Sequence, residues 1–162
     1  MAQSADTLGT GSPLRSRARY EDDLYTWVGE QVALLQAGRV TELDLGNIAE
    51  ELGDVGRAQY DTLESAVEVL LAHILKWEHQ PERRSLSWTT TIKEQRARIA
   101  IVLRKNPGLK SRLGEAIEDG FRLGRLRDAR EMKRSPDTLP SRCPMSWDDI
   151  LGRPFDLDSV KR

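Results

Sequence analysis

From Leu63 to Trp77 the apolar residues recur at every third or fourth position, as Leu63, Val67, Leu70, Leu71, Ile74 and Trp77. That spacing lines one face of an α-helix but would scatter over both faces of a strand, so the segment reads as a helix with one buried side. It ends ahead of Pro81, because the residue before a proline, Gln80, is pushed out of helical geometry.

The same period recurs along the chain. A first helix is expected over residues 20–37, with Leu24, Trp27, Val28, Val32 and Leu35 as its apolar stripe and Gly38 as its C-terminal stop. Asp44 is placed to cap a second helix, with Asn47 at its third position and Leu45, Ile48, Ala49 and Leu52 as its stripe. Gly53 and Gly56 follow, and a mid-helix glycine costs about 1 kcal/mol against alanine, so the stripe resumes either within one long helix or, after a kink or break there, in a second helix in sequence. After a polar linker over 82–86, Ser87 is positioned to cap a third helix carrying Trp88, Ile92, Ile99, Val102 and Leu103. Asn106 and Pro107 then read as cap and first helical residue of a fourth, with Leu109, Leu113, Ile117 and Phe121 inside, Leu126 as a further candidate, and fraying near 133–135.

Beyond this point Pro136, Pro140, Pro144 and Pro154 break regular structure. Ser146, with Asp149 three residues on, resembles a capping box for one short helix over 147–151, and Trp147, Ile150 and Phe155 are placed to pin it down. No run alternates apolar and polar residues as a half-buried strand would. The expected fold is therefore all-α: a helical bundle of four to five main helices with a Pro-rich C-terminal tail carrying one short helix. The expected domain plan is a flexible tail over 1–19, a single helical domain over 20–155 and a C-terminal tail over 156–162.

A net charge of −1 hides a strong asymmetry. Residues 20–80 carry 13 acidic and 3 basic side chains, whereas residues 81–134 carry 15 basic and 7 acidic. Opposite halves can pair within the chain or face a partner, and the sequence leaves both open. The single cysteine, Cys143, rules out an intramolecular disulfide framework. The first 19 residues lack the apolar core of a secretory signal, and no apolar stretch is long enough to span a membrane, so the reading is cytoplasmic with no membrane partner.

Chemistry-bearing patterns are sparse. The two histidines, His73 and His79, are six residues apart and so lie on different sides of a helix, and no Glu-x-x-His pair is present, so no metal is assigned. His73 lies in the apolar run 70–75; a polar site combining it with Asp23, Glu50 and Glu51 is the enzyme or metal-binding alternative, set against a satisfied buried histidine. Arg83, Arg84, Arg96 and Arg98 form a candidate basic surface, with Trp77 and Trp88 near enough in sequence to stack on bases, set against a solvated helix face. No nucleophile elbow and no phosphate-binding glycine loop occurs.

Several ordered blocks resemble one family: Tyr20, Asp23 and Trp27; Asn47 to Leu52; Leu70 to Trp77; Gln80 to Trp88; Gln95-Arg96; Asn106 to Leu109; and Cys143-Pro144. Together they resemble the bacterial family of domain of unknown function 29 over residues 20–155. The resemblance implies an all-helical fold and supplies no activity, cofactor or partner. Its motif positions fall on Asp23, Trp27, Asn47, Glu50, Glu51, His73, Trp77, Gln80, Pro81, Arg84, Ser87, Trp88 and Arg96. The pattern departs at Gly46, Gly53, Gly56, Gly114 and Gly124, which puts helix continuity in question.

The leading functional expectation is a helical interaction module without catalysis, as a homo-oligomer or with a protein partner. The rivals are the His73 site and a nucleic-acid surface, the latter disfavoured. Whether the chain is an enzyme, and which cofactor it would take, the sequence leaves unknown.

Overall fold

The computed structural model describes residues 19–157. The expected N-terminal tail lies outside them except for Arg19, as do residues 158–162 of the expected C-terminal tail. Among the described residues there are five α-helices and no strand, so the protein is all-α. The chain divides into two compact units, over residues 1–53 and 54–162.

In the first unit, α1 spans Leu24–Gln36. It begins later than the sequence suggests because the Asp23 carboxylate accepts the Thr26 amide at 3.0 Å, which fixes Asp23 as the cap. Gly38 ends it at φ 69°, a left-handed conformation that suits glycine. The long helix α2 spans Leu45–His79. Asp44 caps it as expected, taking the Asn47 amide at 3.3 Å and the Asn47 side-chain amide at 2.7 Å.

Of the two alternatives left open at Gly53 and Gly56, the single long helix is the one formed, for α2 is helical through both. A glycine weakens a helix without interrupting it when residues on both sides keep the hydrogen-bond ladder intact.

The second unit packs the rest of α2 with α3 (Leu86–Lys105), α4 (Leu113–Met132) and α5 (Trp147–Gly152). Its core joins Leu63, Val67, Leu70, Leu71 and Ile74 of α2 to Ile92 and Ile99 of α3, Phe121 of α4 and Ile150 of α5. Two expected helix starts are corrected. Ser85, not Ser87, caps α3, since its carbonyl accepts the Trp88 and Thr89 amides. Pro107 opens a 3-10 segment, Pro107–Arg112, rather than α4, as the Leu109 amide closes the tighter turn onto the Asn106 carbonyl. The polar linker also tightens into a 3-10 turn at Pro81–Arg83.

The doubt raised by Gly124 is resolved differently. Ala116, Gly120, Gly124 and Asp128 recur every four residues along one buried side of α4. A Cβ on Gly120 would stand 3.0 Å from the Glu68 backbone nitrogen, and one on Gly124 would stand 3.3 Å from the Glu68 carbonyl oxygen. These glycines let α4 lie backbone-close against α2.

The C-terminal segment is pinned as expected. The Ser146–Asp149 capping box forms, and Ile150 and Phe155 are buried. Arg96 of α3 adds what the sequence did not announce: its Nε donates to the Ile150 carbonyl at 2.8 Å, and its guanidinium lies 5.2 Å from the Phe155 ring centre. Replacing Arg96 with glutamine is expected to cost about 2 kcal/mol, in the range of hydrogen bonds to charged donors. Hydrogen exchange should show it as lost protection of the Ile150 amide, with α2 unaffected.

Candidate functional site

The covered face of α1 is not the one its apolar pattern suggests. Trp27, Gln31 and Leu34 are buried, while Leu24, Val28, Val32 and Leu35 of the expected stripe are 42–52% exposed. At 100° per residue the two sets occupy adjoining strips roughly 90° apart. The sequence stripe thus merges two faces, and only one has a covering neighbour. Leu45 and Leu52, also expected inside, are exposed at 61% and 68%. Around these apolar residues the unit is acidic: residues 19–53 hold eight carboxylates and two arginines.

Gln31 is buried because it has a polar task. Its Oε1 accepts the Asp44 amide at 2.9 Å, tying α1 to the start of α2. Beside it Tyr20 and Trp27 meet edge to face at 4.9 Å, and the Tyr20 hydroxyl donates to Glu51 Oε1 at 2.7 Å. That bond, followed by burial and the neighbouring carboxylates, pushes the Tyr20 hydroxyl up to about 12, so it stays protonated. A cleft of about 440 Å³ opens here, lined by Tyr20, Trp27, Gln31, Asp44 and Asn47 among others.

The four residues of the candidate polar site are engaged separately. Asp23 caps α1, which holds its carboxyl below the usual range. Glu51 accepts from Tyr20, and Glu50 is exposed. His73 Nδ1 lies 2.8 Å from the Val69 carbonyl within its own helix, and burial lowers its pKa. Among the described residues no group of three or more His, Cys, Asp and Glu side chains is arranged to hold a metal ion.

The candidate basic surface is likewise divided. Arg84 donates Nε to the Trp77 carbonyl at 2.9 Å and stacks 4.7 Å from that indole, while Arg96 holds the tail. Arg83 reaches the Gln80 side chain at 3.3 Å, and Arg98 is exposed. Cys143 is half-buried, and burial pushes its thiol up, which disfavours the reactive thiolate.

A polar group that the sequence reading missed lies in the second unit. Lys76 of α2 is only 9% exposed and lies 2.5 Å from Glu131 and 3.6 Å from Asp128, both on α4. Asp128 is fully buried, and neither carboxylate oxygen has a hydrogen-bond partner. Burial pushes its carboxyl up to about 7, against the opposing pull of Lys76. Its signal was present in sequence: Asp128 continues the four-residue series of Ala116, Gly120 and Gly124, although its neighbours Arg125, Arg127 and Arg130 suggest a solvated face.

The profile of the family described as "Domain of unknown function DUF29" matches residues 19–156. The chain belongs to this family. No curated protein and no solved structure matches it. Of the motif positions in this DUF29 chain, Asp23, Trp27, Asn47, Glu51, Trp77, Arg84 and Arg96 serve as caps, ring packing or bonds between segments. Gln80 and Trp88 instead line a second cleft, with Lys76, Arg83 and Glu131. Among the described residues no helix is long and apolar enough to cross a membrane.

Proposed function

We propose that this DUF29 chain is a cytoplasmic helical interaction module without catalysis, and that α1 receives a basic amphipathic helix of a protein partner. The exposed strip of Leu24, Val28, Val32 and Leu35 carries this reading. Apolar residues at spacings of four, four and three present a continuous ridge of the kind that helix-in-groove partners cover. The acidic surroundings favour lysine and arginine on the incoming segment. They also disfavour a symmetric pairing of α1 with α1 of a second copy, which would bring carboxylates of like sign together.

The test is a titration of the isotopically labelled full chain with a cationic amphipathic peptide built from leucine and lysine. Amide shifts centred on α1 are expected, together with at least tenfold weaker binding by the V28Q/V32Q double variant. Both side chains are exposed, so that variant should keep its stability within about 0.5 kcal/mol. Unchanged affinity in the variant, or shifts centred elsewhere, would remove α1 as the docking face. A mass that doubles with concentration and reverts in the variant would replace the partner with a second copy.

A further inference from the structure

The Lys76 group combines an enclosed charge, a buried acid without a hydrogen-bond partner and an open cleft. The cleft measures about 370 Å³, within the range of small-molecule sites, roughly 300–1,000 Å³. Lys76 reaches it from α2, Gln80 and Arg83 from the turn after α2, Trp88 from α3 and Glu131 from α4. About half of the Glu131 side chain is exposed, whereas Lys76 and Gln80 are held in place by burial. Its exposed half leaves Glu131 room to swing out into solvent, so an anion entering the cleft can compete with it for Lys76.

We propose that this cleft binds a small oxyanion, a carboxylate or a tetrahedral anion, which takes the place of Glu131 on Lys76, engages Arg83, and lays any planar part against Trp88, with a proton taken up by Asp128 as it binds.

The coupling follows from position. Asp128 lies against the same ammonium from the protein side, 3.6 Å away. When Asp128 is ionised it competes with the ligand for Lys76; when it is neutral the ligand competes only with the half-exposed Glu131. An arriving anion therefore favours the protonated acid, and protonation favours the anion, by equal factors. The charged groups around Asp128 are Lys76 of α2 and Arg127 and Glu131 of α4, with His73 acting on Glu131. Burial lowers the His73 pKa, which moves its titration away from that of Asp128.

Calorimetric titration with sulfate and with benzoate tests this, since both keep a fixed charge from about pH 6 to about pH 8. Wild type is expected to bind one or both several-fold more tightly at about pH 6, with proton uptake read from buffers of different ionisation heat. Preference for benzoate would assign a carboxylate ligand with a ring on Trp88, and preference for sulfate a tetrahedral one. Asp128→Asn should bind equally at both pH values. Lys76→Met should abolish binding, and Arg83→Gln, which alters an exposed side chain, should weaken it at least tenfold. The proposal is overturned by absence of binding of both probes at about pH 6, by binding that persists in Arg83→Gln unchanged, or by an Asp128→Asn variant that keeps the pH dependence.

Discussion

Gly120→Val is expected to lower the stability of the second unit by about 3 kcal/mol, the upper end of the usual overpacking range. Even a single Cβ at this position would meet the Glu68 nitrogen at 3.0 Å, Val67 Cγ1 at 3.2 Å and Glu68 Cα at 3.3 Å. Two of these are backbone atoms in the middle of α2 and have no rotamer through which to retreat. Valine adds two methyl groups to that clash, so α4 must move outward, opening gaps around Phe121 and Ala116. The gain in helix propensity from removing a glycine recovers only a few tenths of a kcal/mol. Gly114, on the same helix, has nothing within 4 Å of its would-be Cβ. There Gly114→Ala is expected to be neutral or to stabilise by up to about 1 kcal/mol. Chemical denaturation of the two variants checks the pair: equal effects would mean that the close approach of α4 to α2 does not limit the packing.

The second large effect is a fall in stability as pH rises from about 4 to about 7, which Asp128→Asn should abolish. Asp128 titrates at about 7 in the folded protein and near the ordinary aspartate value of about 3.9 when unfolded. Between those values the folded state holds a proton that the unfolded state has lost. The stabilisation is therefore fully present at the acid end of this window and is lost as pH climbs through about 7. A displacement of this size corresponds to on the order of 4 kcal/mol at most. His73 has the opposite sign, because its lowered pKa makes the unfolded state the better proton binder below about 6.5. The carboxylates held low by hydrogen bonds (Asp23, Asp44, Glu115, Glu131 and Asp149) contribute stability that disappears only as pH falls through their own lower range. The difference in melting temperature between wild type and Asp128→Asn should thus change most between about pH 4 and about pH 7 and stay constant above about pH 8. A difference that stays constant through that range would show that Asp128 ionises inside the fold at its ordinary pKa.

These two predictions link the fold to the cleft. The glycines bring α4 close to α2, and that spacing places Asp128 and Glu131 on either side of Lys76. A shift of α4 by Gly120→Val is therefore expected to disturb the Lys76 group as well as the core, which an additional loss of the pH-dependent slope would reveal.

What the sequence determined by itself is the content set within a few neighbouring residues. The period of α2, the caps at Asp44 and Ser146 and the stop at Gly38 each depend on spacing or on a hydrogen bond across a few positions, and all are present, with no strand among the described residues. The family was legible for the same reason, since its blocks are short and ordered. What only the tertiary structure decided is which surfaces meet. Periodicity marks Val28 and Trp27 alike as apolar, yet burial goes to Trp27, because its neighbours on α1 include Gln31, which bonds to the start of α2. Arg96 and Asp128 look like surface charges in a basic stretch until α5 supplies the carbonyl and α2 the lysine. A local pattern fixes the form of each helix, while the partner of a charged or apolar side chain is fixed only by the elements that pack over it.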